Sequence, residues 1–356
     1  MDNTVQSEVQ PIVTIIIINW NGWKDTIECL ESLYQIEYPN YHVVVIDNAS
    51  EDDSIEKIKE YCEGRLIIDT KFSSYQTDNK PLKVLEINAD NICDSSNKSS
   101  FSNKSSLEKK IKEPSDPSLI LLKNKKNYGF AQGNNIGIQF AMNKLNSDYL
   151  LLLNNDTIVD YKFLTELVEA AKSDPKMGFA GPKTYYYNFN GQHDVINFAG
   201  GMINLWKGHF RHTGINEVDH GQYDKVRKVD YAEGSCLLVR KDVVEKVGML
   251  DPGYFAYLEE SDWCIRGLNA GYISLFVPQS KIWHKISASS SNSIKIYYLT
   301  RNKFWFIKRY AKKSQLIVFL LYFFLFRFWY LTGACIIYRE EFKSFFRGIV
   351  DGMKFQ

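Results

Sequence analysis

The sequence predicts an α/β protein whose mostly parallel sheet is flanked by helices. Four short runs of β-branched and aliphatic residues have the continuous apolar character of strands buried on both faces, at 12–18, 41–46, 119–122 and 149–153. Apolar residues recur at helical spacing over 24–35 and 163–172. Strands that alternate with helices in this way are typical of βαβ units and a parallel sheet. Residues 179–232 are predicted to form loops and hairpins over a cleft, with strands following at 236–239 and 272–277.

One large domain with two appendages accounts for the length of the chain. Its 356 residues would suffice for two domains of about 150 residues each. We assign 1–11 to a flexible N-terminus, 12–295 to the α/β domain and 296–356 to a C-terminal helical region. Residues 70–118 contain Ser-Asn-Lys-Ser-Ser twice and are predicted to be a polar, disordered insertion within the α/β domain.

The charge balance argues against one class of partner. The chain has 43 lysines and arginines against 42 aspartates and glutamates, a net charge of +1. A protein that binds nucleic acid through its phosphates usually has a basic surplus, so we expect no nucleic-acid partner. The six cysteines include no close pair, which predicts free thiols. The first ten residues are polar and lack the pattern of a signal peptide, so the main domain is expected to face the cytoplasm.

The C-terminal region is aromatic and basic and is predicted to associate with a membrane. Residues 316–326 are all apolar or aromatic, and after Arg327 a mostly apolar run continues over 328–338. Three arrangements fit: an interfacial or re-entrant amphipathic region, a spanning helix with one charge, or an ordinary pair of core helices. The expected location is the cytoplasmic face of the cell membrane, peripheral or with one inserted segment. Basic residues flank the run at Lys308, Arg309, Lys312, Lys313, Arg339 and Lys343.

Polar residues follow several of the predicted strands. Because the carboxyl ends of parallel strands meet at one edge of the sheet, where α/β proteins bind ligands, we expect these side chains to converge there. A carboxylate and an imidazole, Asp156 and His284, suit Mn²⁺ or Mg²⁺ when a phosphate supplies further oxygens. The polar residues concerned are Asn19, Asn21, Asp47, Asn48, Asn154, Asn155, Asp156 and His284.

An acidic cluster supplies a candidate general base. Glu259, Glu260 and Asp262 fall within four residues and are flanked by apolar and aromatic side chains. Neighbouring carboxylates raise one another's pKa, which favours a base that works near neutral pH. The alternative is a solvated, acidic start of a helix.

The ordered set of motifs resembles the family-2 glycosyltransferases, in particular their rhamnosyltransferase-like branch. The resemblance covers about 12–69 and 119–302 and implies a GT-A fold, a nucleotide-diphosphate sugar donor, a divalent metal (Mn²⁺ or Mg²⁺) and inversion at the anomeric carbon. The motifs that carry it, in chain order, are IIIINWNG, VVVIDNASEDDS, NYGFAQGNNIG, LLLLNNDT, NFAGG, DYAEGSCLLVRKDVVEKVGMLDPGYFAYLEESDWCIR, GYISLFVPQSKIWHK and YYLTRN.

The resemblance also implies roles for the nucleotide-sugar side of the site. Asp47 matches the acid that holds the nucleobase, with Asn19 and Asn21 in the same pocket and Asn48 next to it. Asn127 and Gly129 would lie beside the nucleoside. Asn154, Asn155 and Asp156 occupy the place of the family's DxD motif, so Asn154 replaces an acid and keeps a possible ribose contact. The remaining contact implied on this side is Arg301, to the diphosphate.

The same resemblance implies the metal, the base and the acceptor contacts. Asp156 and His284 would bind the metal. Glu260 stands where the family's catalytic base, usually Asp, is found, and Glu259 precedes it, so the choice between the two stays open. Trp263 and Arg266 are predicted to contact the acceptor sugar.

These assignments predict an inverting, metal-assisted glycosyltransferase. It would move a sugar from a nucleotide-diphosphate sugar to a hydroxyl of a glycan or lipid-linked acceptor in surface polysaccharide or glycolipid synthesis. The main alternative is a non-catalytic sugar-nucleotide or glycan-binding protein in which Asn154 marks a decayed site. A nucleotidyltransferase is disfavoured, because a Gly-rich, basic phosphate loop does not follow the first predicted strand.

Overall fold

A computed structural model describes residues 10–68, 72, 74–89, 118–286, 292–335 and 339–354. Five parallel strands form one half of the main sheet, in the order β3-β4-β2-β1-β5. They are β1 (Val13–Asn19), β2 (Tyr41–Asp47), β3 (Lys83–Asn88), β4 (Ser118–Lys123) and β5 (Tyr149–Asn154).

Both faces of this half-sheet are covered by helices, which explains the continuous apolar runs. Ile15 and Ile17 of β1 lie in one core cluster with Leu30 of a helix, whereas Ile16 lies in the cluster of the opposite face with Ile136. The helices here are α1 (Trp23–Leu33), α2 (Ser54–Cys62), α3 (Gly129–Lys144) and α4 (Phe163–Ser173). Gly137 lets α3 approach the sheet, since a Cβ there would lie 2.6 Å from Ile46 Cδ1.

The other half of the sheet is mixed. β13 (Cys236–Arg240) runs antiparallel to β5 and pairs with β7 (Met177–Tyr186), and β14 (Ile273–His284) runs parallel to β7. Shorter strands complete this half: β6 (Thr157–Val159), β8 (Val195–Phe198), β11 (Glu217–Val218) and β12 (Arg227–Val229), while β9 (Gly201–Asn204) and β10 (His209–His212) form a separate hairpin. Two helices, α5 (Lys241–Val247) and α6 (Glu259–Asn269), lie between β13 and β14 in the chain.

Two predictions about this sheet need correction. The range 179–232, predicted as loops and hairpins, includes most of β7, a buried core strand. Its Lys183 is 1% exposed, and this charged residue made the strand hard to predict from the sequence. Lys183 can be buried because Asp219 and Asp224 neutralise its charge at 2.8 and 2.6 Å. The predicted insertion 70–118 contains β3, which pairs with β4. Its serine-rich repeat lies outside the described residues, as do residues 1–9 of the predicted N-terminus.

The C-terminal region is helical and packs on the α/β domain. It comprises α7 (Asn292–Tyr310), α8 (Lys313–Tyr322), a π-helical turn (Phe323–Arg327), α9 (Phe328–Cys335) and α10 (Arg339–Lys354). Its aromatic core reaches the main domain through Phe306, whose ring lies 4.9 Å from that of Phe210 on β10. Across the described residues, none of the helices is both long and apolar enough to cross a membrane.

Candidate active site

The first two strands end side by side in Asn19 and Asp47, which are buried and paired in the sheet register. The Asn19 amide donates to Asp47 Oδ1 at 2.9 Å. Ser50 donates to the same carboxylate from its hydroxyl at 2.6 Å and its backbone N–H at 3.1 Å. The Ser50 hydroxyl oxygen accepts the backbone N–H of Asn21 at 2.9 Å. Asp47 therefore organises the loop after β2, and its contact with a nucleobase stays a prediction.

Asn48, Asn127 and Gly129 form a second connected group. The Asn48 amide donates to Asn127 Oδ1 at 2.9 Å, and the Gly129 N–H donates to the same oxygen at 2.8 Å. Gly129 has a φ of 75°, and a Cβ there would lie 2.6 Å from the ring of Phe255. Only glycine fits this position at the start of α3 without moving Phe255.

Asn154 and Asn155 end β5 next to β1, where Asn154 lies opposite Ile18. The Asn155 amide donates to Thr26 Oγ1 at 3.0 Å and so ties this end of the strand to α1. The Asn154 side-chain oxygen is buried and accepts no hydrogen bond from the described residues. A buried acceptor without a donor costs free energy, and the ribose hydroxyl predicted for Asn154 would supply one.

Asp156 and His284 come together although they are 128 residues apart in the sequence. Pairing of β14 with β6 places His284 opposite Thr157, and His284 Nε2 lies 3.1 Å from Asp156 Oδ1. Burial alone would lower the pKa of His284, but the Asp156 carboxylate acts in the opposite direction and the net pKa is raised. The strand ends thus converge as predicted.

The fit of these residues to a metal rests on their donor atoms. Among the described residues there is no group of three or more His, Cys, Asp or Glu side chains that could hold a metal ion. Asp156 and His284 nevertheless offer a carboxylate oxygen and an imidazole nitrogen within hydrogen-bond distance of each other. That pair fits Mn²⁺ or Mg²⁺ when substrate phosphate and water supply the remaining oxygens.

The two adjacent glutamates at the start of α6 lie in different surroundings. Glu259 is 4% exposed, and burial, with a further contribution from the charge of Glu260, raises its pKa well above the usual value. One of its carboxyl oxygens has no partner among the described residues. Glu260 is half-buried, accepts a hydrogen bond from Ser261 Oγ at 3.1 Å, and burial raises its pKa to about 7. Burial therefore disfavours the charged form of Glu259, and Glu260 is the one able to take up a proton near neutral pH.

A third carboxylate, which the sequence reasoning did not select, lies close enough to act electrostatically on both Glu260 and His284. The charge of Glu233 contributes to the raised pKa of both Glu260 and His284. The turn that carries it is held at two points: Ser235 Oγ donates to Glu233 Oε2 at 2.9 Å, and the Ser235 carbonyl accepts the backbone N–H of Asn154 at 2.9 Å. The only signal in the sequence was an acid three residues before a buried strand.

The structure contradicts the predicted acceptor contacts. Trp263 is 0% exposed, packs edge-on against Phe179 at 5.6 Å and donates its indole N–H to the Gly248 carbonyl at 2.8 Å. Arg266 donates to Asp262 Oδ2 at 2.8 Å and to the carbonyls of Val247 and Met249 at 2.6 and 2.7 Å. Both residues lie on the face of α6 that turns toward the protein, so they hold the helix in place instead of meeting a sugar.

Arg301 contacts the loop before α6, and its predicted contact with a diphosphate stays a prediction. Its guanidinium donates to the carbonyls of Gly253 and Tyr254 at 2.6 and 2.9 Å and lies 4.1 Å from the ring centre of Trp305. Both of these hydrogen bonds come from Nη2 of the planar guanidinium group. Arg301 therefore holds the loop before α6.

A sequence profile described as glycosyl transferase family 2 matches residues 14–75 and 99–248, more than half of the chain. The chain belongs to this family. The predicted membership is thereby confirmed.

Individual relatives are similar over part of their length. The low-salt glycan biosynthesis hexosyltransferase Agl10 of Haloferax volcanii is 28% identical over 144 residues, covering 39% of this chain and 43% of the relative. The dTDP-rhamnosyl transferase RfbF of Shigella flexneri is 25% identical over 203 residues, covering 52% and 61%. The chain thus spans about half the length of the curated relatives that it matches.

A solved structure of a third glycosyltransferase supports the fold. The mannosyltransferase PcManGT of Pyrobaculum calidifontis, solved in complex with GDP-Man and Mn²⁺, superposes with a TM-score of 0.52 at 13% identity. The match covers 97% of this chain and 86% of the other. The predicted α/β fold of the GT-A type is thereby confirmed.

Proposed function

We propose that this family-2 glycosyltransferase transfers a sugar from a nucleotide-diphosphate sugar to an acceptor hydroxyl with inversion, using Glu260 as general base. The observation that carries the proposal is the position of Glu260. It is half-buried, its pKa is raised to about 7, and it lies beside the turn of Glu233, where a Cβ on Gly234 would be 3.8 Å from Glu260 Cβ. The charge of Glu233 also acts on His284. A base, a metal-binding pair and a set of amide donors then share one edge of the sheet.

The chemistry follows from these positions. Glu260 takes the proton of the acceptor hydroxyl while the oxygen attacks the anomeric carbon from the face opposite the diphosphate. The new C–O bond forms as the bond to the diphosphate oxygen breaks, so the configuration inverts without a covalent enzyme intermediate. A divalent cation bound at Asp156 and His284 would neutralise the charge on the leaving diphosphate.

The donor and acceptor are proposed from the relatives. The Shigella flexneri relative is named for dTDP-rhamnosyl transfer, which supports a dTDP-linked deoxyhexose as the first donor to test. The Mycobacterium tuberculosis relative, 28% identical over 152 residues, is named N-acetylglucosaminyl-diphospho-decaprenol L-rhamnosyltransferase. That name supports a lipid-linked acceptor, within surface polysaccharide or glycolipid synthesis.

Release of nucleoside diphosphate from a panel of dTDP-, UDP- and GDP-sugars tests this activity. Transferases hydrolyse some donor even without an acceptor, so we expect release from one nucleotide class with Mn²⁺ and at least ten-fold less with EDTA. Binding of a donor without any release, with or without a glycan acceptor, would favour the alternative of a non-catalytic sugar-nucleotide-binding protein with a decayed site at Asn154.

We also propose that α8 and α9 dock on the cytoplasmic surface of an anionic membrane, where a lipid-linked acceptor would be found. Four apolar side chains recur every four residues along this segment, Ile317, Leu321, Leu325 and Trp329, and they are 55 to 66% exposed. Exposed lysines at Lys312 and Lys313 begin α8. An apolar stripe beside basic residues is the pattern of an interfacial helix, and it supports a lipid surface as the occupant.

Substituting Leu321, Leu325 and Trp329 by serine is expected to weaken binding to vesicles containing phosphatidylglycerol by at least about ten-fold. The reason is that the variant loses the apolar area that the membrane would cover. Sedimentation with vesicles measures the bound fraction. The matched control replaces three exposed apolar residues of the main domain, Ile67, Ile215 and Leu268, by serine. Equal binding of the two triple variants would rule out this surface.

A further inference from the structure

The segment that leads into Glu259 and Glu260 has an unfavourable backbone. Three of its residues other than glycine have positive φ angles: Phe255 at 64°, Tyr257 at 70° and Leu258 at 71°. For bulky residues each such conformation costs on the order of 1–3 kcal/mol, so it persists only where surrounding contacts hold it. We call residues 253–258 the base loop.

Asn302 of α7 supplies those contacts from behind the base loop. Its side chain is 0% exposed, and its amide nitrogen lies 3.1, 2.7 and 2.7 Å from the carbonyl oxygens of Tyr254, Ala256 and Tyr257. An amide NH₂ has two hydrogens, so three acceptors share them. A single buried side chain thus bonds three backbone carbonyls, and two of them, those of Ala256 and Tyr257, lie outside any helix or strand.

Arg301 orients that amide. Its Nε donates to Asn302 Oδ1 at 2.9 Å, which turns the NH₂ group of Asn302 toward the base loop. The same guanidinium bonds the carbonyls of Gly253 and Tyr254. Two consecutive residues of α7 therefore hold four of the six carbonyls of the base loop.

The front of the base loop contacts the other end of the site. The Phe255 carbonyl accepts the backbone N–H of Ala131 at 3.1 Å, and its ring stacks on Tyr298 at 4.9 Å. The same ring covers Gly129 at the start of α3. The base loop is therefore fixed between the predicted nucleoside side at α3 and the C-terminal helix α7.

From this arrangement we propose that Asn302 is a positioning residue, which sets the place of Glu260 by holding the base loop in its strained conformation. The inference rests on the proposed role of Glu260 as base. Without the three hydrogen bonds the base loop relaxes toward ordinary φ angles, and the first turn of α6 moves with it. A displacement of about 1 Å at a catalytic group can lower the rate by about 10²-fold.

The test compares full-length Asn302→Ala with wild type in steady-state donor turnover. We expect kcat to fall at least about 30-fold while the KM for the donor changes less than about three-fold, because the nucleotide side keeps its own contacts. The acid limb of the kcat profile should also move to lower pH, since water that enters the relaxed base loop lowers the pKa of Glu260.

A matched control separates positioning from stability. Asn135 is also buried, and its side chain bonds the backbone of Leu250 at 2.8 and 3.1 Å without touching the base loop. Asn135→Ala should lower the melting temperature comparably but leave kcat within about three-fold. Arg301→Lys, which removes the contact to Asn302 Oδ1, is a milder variant for use if Asn302→Ala does not fold. It is also expected to lower kcat.

The outcomes are distinct. A wild-type kcat in Asn302→Ala overturns the positioning role; if that variant does not fold, a wild-type kcat in Arg301→Lys does so instead. A loss of kcat equal to that of Asn135→Ala, with an unchanged pH profile, also overturns it. Glu260→Gln in the same assay reports on the proposed function separately. If Glu260→Gln remains active, the base assignment is wrong; if it is inactive while Asn302→Ala is normal, only the positioning inference is wrong.

Discussion

Glu260→Gln is expected to lower glycosyl transfer by about 10²–10⁴-fold, the usual contribution of a general base, while donor binding persists. Glutamine keeps the size of the side chain and its contact with Ser261 but cannot accept the proton of the acceptor hydroxyl. Turnover with donor and acceptor measures the rate, and calorimetric titration of the donor in Mn²⁺ measures binding. Near-normal transfer would contradict the assignment of the base.

Glu259→Gln distinguishes the two neighbouring glutamates. Because burial raises the pKa of Glu259 and so favours its protonated form, glutamine mimics that form closely, and most of the turnover should remain. The wild-type rate should rise with pH through about 7, since Glu260, whose pKa burial raises to about 7, must lose its proton before it can act. A larger loss of turnover in Glu259→Gln than in Glu260→Gln would exchange these roles. A rate that rises with pH between 4 and 5 instead of near 7 would refute the role of Glu260.

The second large effect is expected from Asp156→Ala. This variant removes one of the two side chains that would bind the metal and leaves His284 without its partner at 3.1 Å. We expect affinity for the nucleotide sugar in Mn²⁺ to fall at least about 100-fold, and added metal not to restore it. Asp160→Ala is the matched control, because Asp160 follows β6 and its side chain accepts a hydrogen bond from the backbone N–H of nearby Lys162.

The parallel half of the fold could be predicted because its strands are buried on both faces. The apolar runs inside β1, β2, β4 and β5 contain no charged residue, so the sequence alone predicts these strands. β7 is equally buried but contains Lys183, whose charge is neutralised by residues about 40 positions away. No local pattern can reveal a partner that arrives only in the folded chain.

The meeting of the strand ends could be predicted because backbone position decides it, whereas contacts that depend on side-chain orientation could not. Parallel register alone brings Asn19 beside Asp47, and strand pairing brings His284 to Asp156. Trp263 and Arg266 share a helix with Glu260, and the sequence does not say which face of that helix meets the cleft. Arg301 could equally have bound phosphate or backbone carbonyls, and only the strained base loop explains why it binds the latter.

The central claim is that the convergent strand ends bind a nucleotide sugar through a divalent metal, and thermal unfolding with a panel of nucleotide sugars tests it most directly. A ligand at 100 times its Kd stabilises the folded state by about 2.7 kcal/mol, which corresponds to a rise of roughly 4 °C in melting temperature for a chain of this size. We predict such a rise for one nucleotide-sugar class in Mn²⁺, its loss in EDTA and its loss in Asp156→Ala. A rise that is equal with Mn²⁺ and EDTA, or equal in wild type and Asp156→Ala, would contradict the account.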